Sequence, residues 1–94
     1  MKILVFGKKG CSLCENRLET AKKAKKKFFK DLEIEYHDAK TPEGLTEFAM
    51  LGLEIDIPSV VLLNGKKIVD SWIGPKSVLS IKDLKEKIEG KQNG

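Results

Sequence analysis

The chain has 94 residues, of which 40% are hydrophobic and 34% charged, and its formal net charge is +4. This length and composition predict one soluble globular domain with a single modest core and little surface for separate modules. No apolar run approaches the ~18 residues of a membrane span, and the apolar residues 3–6 are too few for the ~7–15-residue core of a secretory signal. We therefore expect a cytoplasmic protein without a membrane partner.

The first three predicted elements follow from hydrophobic periodicity. Residues 3–6 form a continuous, partly β-branched apolar run, which is typical of a strand buried on both faces. Residues 12–30 carry apolar side chains at helical spacing, on a stripe of Cys14, Leu18, Ala21 and Phe28 with Ala24 beside it. Residues 32–36 alternate apolar and charged side chains, which predicts a strand with one solvent-exposed face.

Capping signals locate the two remaining helices. Thr41 as N-cap and Pro42 at the first helical position predict the start of a short second helix. Ser80 and Asp83 resemble a capping box, which predicts the start of the last helix. Glycines are expected to end both helices, at Gly52 and Gly90.

A β-hairpin is predicted between the second and third helices. Strands over residues 57–63 and 66–72 flank Asn64-Gly65, which is a strong signal for a tight hairpin turn. The predicted domain covers residues 1–90, and residues 91–94 are expected to be a flexible tail.

The order β-α-β-α-β-β-α predicts an α/β fold, a four-stranded mixed sheet with helices on both faces. Helical crossovers join the first three strands, so we expect these strands to be parallel, with the hairpin adding an antiparallel edge.

The two cysteines lie three residues apart, where the first strand gives way to the first helix. In a reducing compartment, a close pair of cysteines is more often catalytic or metal-binding than a structural disulfide. Free N–H groups and the positive end of the helix dipole surround Cys11, and Lys8 and Lys9 add positive charge. Such a setting lowers the pKa of a thiol, so Cys11 is the expected nucleophile. Cys14, on the inward stripe, is the expected resolving cysteine.

Other roles for the cysteine pair stay open. A metal site normally needs about four ligands, and the chain offers the two cysteines and His37, so a zinc or iron–sulfur carrier would need a dimer or an added thiol. A structural or inert pair is a second hypothesis, and a redox-sensing module without turnover is a third. We expect a monomer with no bound metal or cofactor.

Several other side chains are expected to have ordinary structural roles. The lysines of the first helix have no interleaved aromatic residues for base stacking, so we expect a solvated face and no nucleic-acid partner. Tyr36 and Trp72 are expected to pack, and His37 and Asp38 to cap or turn the end of the second strand.

Three segments carry a resemblance to a known family. Val5-Phe6-Gly7-Lys8-Lys9-Gly10-Cys11-Ser12-Leu13-Cys14 is similar to the opening of bacterial glutaredoxins, in which a strand runs into a basic, glycine-containing turn and Cys-x-x-Cys. Ile57-Pro58 resembles the family's cis-proline segment, and Ile73-Gly74 resembles the start of its later glycine motif. The resemblance, to glutaredoxins or more broadly to small thioredoxin-fold proteins, extends over residues 1–90.

This resemblance implies a thioredoxin-like fold and a thiol–disulfide oxidoreductase that reduces protein disulfides or glutathione mixed disulfides. It implies that Pro58 is cis and lies beside Cys11, and that the backbone of Ile57 holds a substrate segment as an added strand. Gly74 would help to bind glutathione as a co-substrate, and Lys8 would pair with its glycine carboxylate. The implied partners are disulfide-containing proteins and, as electron donor, a reductase or glutathione.

The chain departs from the family's pattern at three places. Ser12-Leu13 separates the cysteines, where glutaredoxins have Pro-Tyr and thioredoxins have Gly-Pro, so no redox potential is assigned. Pro75 removes one backbone N–H from the glutathione motif. Val5 stands six residues before Cys11, where thioredoxins place a buried acid that assists deprotonation of the second cysteine. Cys14 must therefore lose its proton to another group.

Overall fold

The computed structural model describes residues 1–52 and 56–92. Within these residues every predicted helix and strand is present. The elements are β1 (Lys2–Gly7), α1 (Ser12–Lys27), β2 (Glu33–Asp38), α2 (Pro42–Met50), β3 (Ser59–Asn64), β4 (Lys67–Ile73) and α3 (Ile81–Gln92). α3 continues past Gly90, where the sequence predicted its end, and the last residues of the predicted tail, 93–94, lie outside the described residues.

The four strands form one mixed sheet in the order β2-β1-β3-β4. β1 and β2 are parallel, with Val5 opposite Tyr36. β3 is antiparallel to β1, with Phe6 opposite Ser59, and β3 and β4 form the predicted hairpin. Gly65 takes a left-handed conformation in the hairpin turn, at φ +63°. The predicted fold class, a four-stranded mixed sheet with helices on both faces, is confirmed.

The prediction that the first three strands are parallel is wrong for β3. α2 begins near the edge of the sheet where β2 ends, and its nine residues rise about 13 Å. The chain between Met50 and Ser59 is long enough to retrace that rise, since an extended chain advances ~3.3 Å per residue. β3 therefore starts at the same edge at which β1 and β2 end, and it runs antiparallel to β1.

Side-chain caps start the second and third helices as predicted. The Oγ1 atom of Thr41 accepts a hydrogen bond of 3.1 Å from the N–H of Gly44. Ser80 and Asp83 form a reciprocal capping box, in which each backbone N–H donates to the other residue's side-chain oxygen, at 3.1 and 3.3 Å. These bonds satisfy N–H groups that have no partner within the first turn of a helix.

Two apolar layers cover the two faces of the sheet. On one face α1 and α3 pack over the buried side chains of Ile3, Val5, Val60 and Leu62. On the other face, where α2 contacts β2, the layer contains Leu4, Phe6, Ala39 and Val61. Trp72 packs at the margin of the first layer, as expected. No helix of the described residues is both long and apolar enough to cross a membrane.

The inward stripe of α1 differs from the predicted one at two positions. Phe28 is 40% exposed, and Arg17 is buried at 7% exposure. α1 ends at Lys27, and Phe28 is its C-cap. The backbone φ of Phe28 is −127°, which is not helical, so its side chain does not continue the inward stripe of α1. Its ring instead lies beneath the ammonium groups of Lys27 and Lys85, at 5.6 and 4.8 Å. Arg17 is buried because it lies one turn after Cys14 on the face that packs inward.

Candidate active site

A disulfide between Cys11 and Cys14 lies where β1 passes into α1. Cys11 is the N-cap of α1, in extended conformation at φ −101°, and Cys14 lies in the first helical turn. The Cα atoms of the two cysteines are 5.2 Å apart. The backbone N–H of Cys14 donates a hydrogen bond of 3.1 Å to Cys11 Sγ, so the N-cap interaction is made by sulfur.

The two cysteines differ in their access to solvent. Cys14 is completely buried, whereas Cys11 is partly exposed in the basic turn. An incoming disulfide therefore meets Cys11 Sγ first. In the reduced protein, an N–H donor and the positive end of the helix dipole would favour a thiolate at Cys11. This asymmetry is the one that the predicted roles of nucleophile and resolving cysteine require.

The proline segment lies at the same edge of the sheet as the disulfide. Phe6 pairs with Ser59, so the next residue on β1, Gly7, is level with Pro58 just before β3. The Ile57-Pro58 bond is cis, as the resemblance implied. Pro58 is buried and its carbonyl oxygen accepts a 2.8 Å hydrogen bond from the N–H of Gly74.

The resemblance implied that the backbone of Ile57 holds a substrate strand, and in the structure the N–H of Ile57 is bonded within the chain. It donates to Oδ1 of Asp56 at 2.9 Å. A Cβ atom placed on Gly74 would overlap Oδ2 of the same carboxylate, so Asp56 also covers the glycine. A substrate strand at Ile57 would have to displace the carboxylate of Asp56 before it could use this donor.

The structure does not present the residues predicted to bind glutathione as a set of free hydrogen-bond donors. Gly74, at φ +85°, has its N–H bonded to Pro58, and the following Pro75 has no N–H. The carboxylate of Asp56 lies against Gly74, so it would repel the α-carboxylate of a γ-glutamyl group and attract its α-ammonium group. Lys8 lies exposed in the turn after β1.

Arg17 is a residue near the site that the sequence reasoning missed. Its guanidinium donates to the carbonyl oxygen of Ser77, which connects α1 to the segment after Gly74. Its Nε is buried and has no hydrogen-bond partner among the described residues. The available signal was position, because Arg17 is the first residue one turn after Cys14 on the inward face.

We expect Arg17→Met to loosen residues 75–79 without unfolding the protein. Methionine retains most of the packing volume, and it removes the buried Nε of Arg17 that has no hydrogen-bond partner among the described residues. The lost hydrogen bond has a charged donor, so exchange of the Ser77 amide, whose N–H is bonded to the carbonyl oxygen of Gly74, should accelerate by roughly tenfold. Hydrogen–deuterium exchange measures this, with Lys23→Met on the exposed face of α1 as the control. Unchanged exchange at the Ser77 amide would show that Arg17 does not hold the segment.

Tyr36, expected only to pack, also lies at the site. Its hydroxyl and the side chain of Cys14 both lie against Gly7, since a Cβ atom built on Gly7 would be 2.6 Å from the hydroxyl oxygen and 2.7 Å from Cys14 Cβ. His37 stacks on Phe6, with ring centroids 5.4 Å apart, on the α2 face of the sheet and away from Cys14. Among residues 1–52 and 56–92, no group of three or more His, Cys, Asp or Glu side chains is arranged to hold a metal ion.

No family model matches the chain, and no curated protein matches it significantly. Several solved structures, in contrast, match the chain. Thioredoxin 1 from the thermophilic eubacterium Thermosipho africanus is similar with a TM-score of 0.74 and 26% identity, over 99% of this chain and 96% of that chain. The chain is a thioredoxin-fold protein.

More distant thioredoxins show the same fold. Desulfothioredoxin from Desulfovibrio vulgaris Hildenborough has a TM-score of 0.68 and 20% identity, over 95% of this chain and 79% of its own. A chain in the complex of ferredoxin:thioredoxin reductase with thioredoxin f2 has a TM-score of 0.68 and 19% identity, over 97% and 76% of the two chains. The broader part of the predicted resemblance, to thioredoxin-fold proteins, is confirmed, and the narrower part, to glutaredoxins, stays a prediction.

In this thioredoxin-fold protein, the similar structures and the Cys-x-x-Cys disulfide together support thiol–disulfide oxidoreductase chemistry at a general level. The chemistry has a simple physical basis. Two sulfurs held within bonding distance can store two electrons as two thiols and release them by forming one disulfide.

Proposed function

We propose that the protein reduces disulfide bonds in other proteins, with Cys11 as the nucleophile and Cys14 as the resolving cysteine. The observation that carries this proposal is the asymmetry of the pair. Cys11 is a partly exposed N-cap whose sulfur accepts an N–H, and Cys14 is fully buried one turn into the helix. Leu13, between them and 45% exposed, offers an apolar contact to a substrate chain.

The proposed reaction takes two exchange steps. The thiolate of Cys11 attacks one sulfur of the substrate disulfide, forms a mixed disulfide and expels the other substrate sulfur as a thiolate. Cys14 loses its proton and attacks Cys11 Sγ, which expels the second substrate thiolate. The substrate disulfide gains two electrons, and the protein's two thiols become the Cys11–Cys14 disulfide.

A protein reductase is the electron donor that we propose for regenerating the two thiols. Two features disfavour glutathione in that role: Gly74 has its N–H bonded to Pro58, and Pro75 has no N–H. Thioredoxin f2 is described in a complex with ferredoxin:thioredoxin reductase, and we extend that kind of partnership to this chain as part of the proposal.

A cytoplasmic location and a monomeric state complete the proposal. Reductases and their electron donors keep cytoplasmic thiols reduced, which is the state in which Cys11 can act on a substrate. A monomer leaves Cys11 open to a substrate chain.

Insulin reduction with two different donor systems tests the proposal. We expect turnover with NADPH and a thioredoxin reductase to exceed turnover with glutathione and glutathione reductase by at least about tenfold, the effect of one lost charged hydrogen bond. Faster turnover with glutathione would assign the protein to the glutaredoxins. Absence of turnover with either donor and with dithiothreitol would contradict the oxidoreductase proposal, and stoichiometric metal in that inactive protein would favour the hypothesis of a metal carrier.

A further inference from the structure

Gly7, the last residue of β1, has no room for a side chain beside the buried cysteine. A Cβ atom at this position would lie 2.6 Å from the hydroxyl oxygen of Tyr36, 2.7 Å from Cys14 Cβ and 3.1 Å from Cys14 Sγ. One added carbon would therefore touch both the phenol and the sulfur. Gly7 is not among the glycines with positive φ, so the need for glycine here is the space itself.

The sheet register directs Tyr36 toward Gly7. Tyr36 on β2 is the parallel partner of Val5, and the partner of Gly7 is Asp38. Side chains paired across neighbouring strands point to the same face, so Tyr36 shares with Val5 the face that α1 covers. The long phenol extends along the strand to Gly7, where its hydroxyl and the side chain of Cys14 both lie against the position that a Cβ atom would take.

The surroundings keep the Tyr36 hydroxyl protonated. Partial burial raises the pKa of Tyr36 above its ordinary value, and the negative charges of Asp38 on β2 and Glu15 on α1 raise it further. The neighbouring β1 residues, Val5 and Gly7, carry no charge. A phenol that holds its proton throughout the range in which thiols titrate can act as a hydrogen-bond donor to a thiolate.

We propose that the Tyr36 hydroxyl donates a hydrogen bond to the thiolate of Cys14 and so assists the resolving step. This inference rests on the proposed function. The Cys14 proton passes to water, Tyr36 keeps its own proton, and the Cys14 thiolate attacks Cys11 Sγ in the mixed disulfide. The bond between Cys11 and the substrate sulfur breaks, and the substrate leaves as a thiolate. In the return direction, a donor thiolate attacks Cys11 Sγ and Cys14 leaves as a thiolate, stabilised by the same hydroxyl.

The first test measures the Cys14 thiol directly. In a Cys11→Ser background, the ultraviolet absorbance of the thiolate is followed against pH, once with Tyr36 in place and once with the additional substitution Tyr36→Phe. Loss of the hydroxyl should raise the pKa of Cys14 by about one, a tenfold change in proton affinity. Phenylalanine retains the ring, and Asp38 and Glu15 are unchanged in both proteins. An unchanged pKa of Cys14 overturns the inference.

The second test follows the resolving step in the protein with both cysteines. At neutral pH, Tyr36→Phe lowers the thiolate fraction about tenfold, and the greater nucleophilicity of a more basic thiolate offsets part of this, so the rate should fall roughly threefold. Above the pKa of Cys14 in both proteins, the variant should be the faster one by a similar factor. This crossing of the two pH profiles would not follow from a packing defect, and parallel profiles would contradict the inference.

A measurement without substitution covers the case in which Tyr36→Phe does not fold. Tyr36 is the only tyrosine of the chain, so phenolate absorbance titrates it alone. The pKa of Tyr36 should be higher in the reduced protein than in the disulfide form, because a hydrogen bond to the Cys14 thiolate stabilises the protonated phenol. Equal values in both forms would overturn the inference. A shifted Cys14 pKa in a protein without any turnover would contradict only the proposed function.

Discussion

Replacing Cys11 with serine is expected to reduce disulfide turnover to the rate measured without protein. Cys11 carries the sulfur that an incoming disulfide can reach, since Cys14 is completely buried. A serine hydroxyl at the same N-cap position would still accept the N–H of Cys14, so the helix start should survive. The loss should therefore appear in turnover with insulin and with a small disulfide, while the circular dichroism spectrum stays unchanged.

Replacing Cys14 with serine should have a different result, because it removes only the second step. The thiolate of Cys11 should still attack, and the mixed disulfide should accumulate to nearly one substrate per chain. Mass spectrometry without reductant measures this adduct. Ser12→Ala, between the cysteines, is the matched control and should form no lasting adduct. Activity in Cys11→Ser, or an adduct on Cys14, would contradict the assigned roles.

Gly44→Ala should give the largest loss of stability among the glycine substitutions in helices. Alanine normally stabilises a helix by up to ~1 kcal/mol relative to glycine. Here its Cβ would overlap the carbonyl oxygen of Asp38 and lie 2.7 Å from the carbonyl carbon. That carbonyl is held in place by hydrogen bonds of 3.0 and 2.8 Å from the N–H and Oγ1 of Thr41. We expect the free energy of unfolding to fall by about 2–3 kcal/mol.

Gly90→Ala is the control with the same chemical change. Gly90 lies in α3, and a Cβ built on it would have no atom within 4 Å among the described residues outside its own stretch of helix. Its substitution should raise the free energy of unfolding by about 0.5–1 kcal/mol. Urea denaturation compares both variants with the unchanged protein, and Tm should fall by roughly 10–20 °C for Gly44→Ala. Equal effects of the two substitutions would show that α2 can move away from the β2–α2 turn.

Local signals in the sequence were sufficient for most of the secondary structure and for the centre of the site. The caps at Thr41 and Ser80 and the turn at Gly65 each depend on dihedral angles and hydrogen bonds within a few residues, so they could be predicted before any packing was known. The same holds for Cys11, whose place at the start of a helix follows from the end of β1 and the periodicity after it.

Contacts between distant segments were beyond the reach of that reasoning. The direction of β3 relative to β1 depends on where the chain is after α2. The hydrophobic periodicity of α2 and β3 does not contain that information. Asp56 covers Gly74 only because the proline segment and the end of β4 meet at one edge of the sheet. Tyr36 resembles an ordinary strand residue until the register places it beside Val5.

The Cys-x-x-Cys pair shows the division most clearly. The positions of Cys11 and Cys14 at a helix start, with one sulfur outward and one inward, follow from the amino-acid sequence, because helical spacing dictates which face each residue occupies. The surroundings of the inward sulfur depend instead on how the strands pair. The parallel pairing of β1 with β2 places the Tyr36 hydroxyl against Gly7, where Cys14 also lies, although the three residues are far apart in sequence.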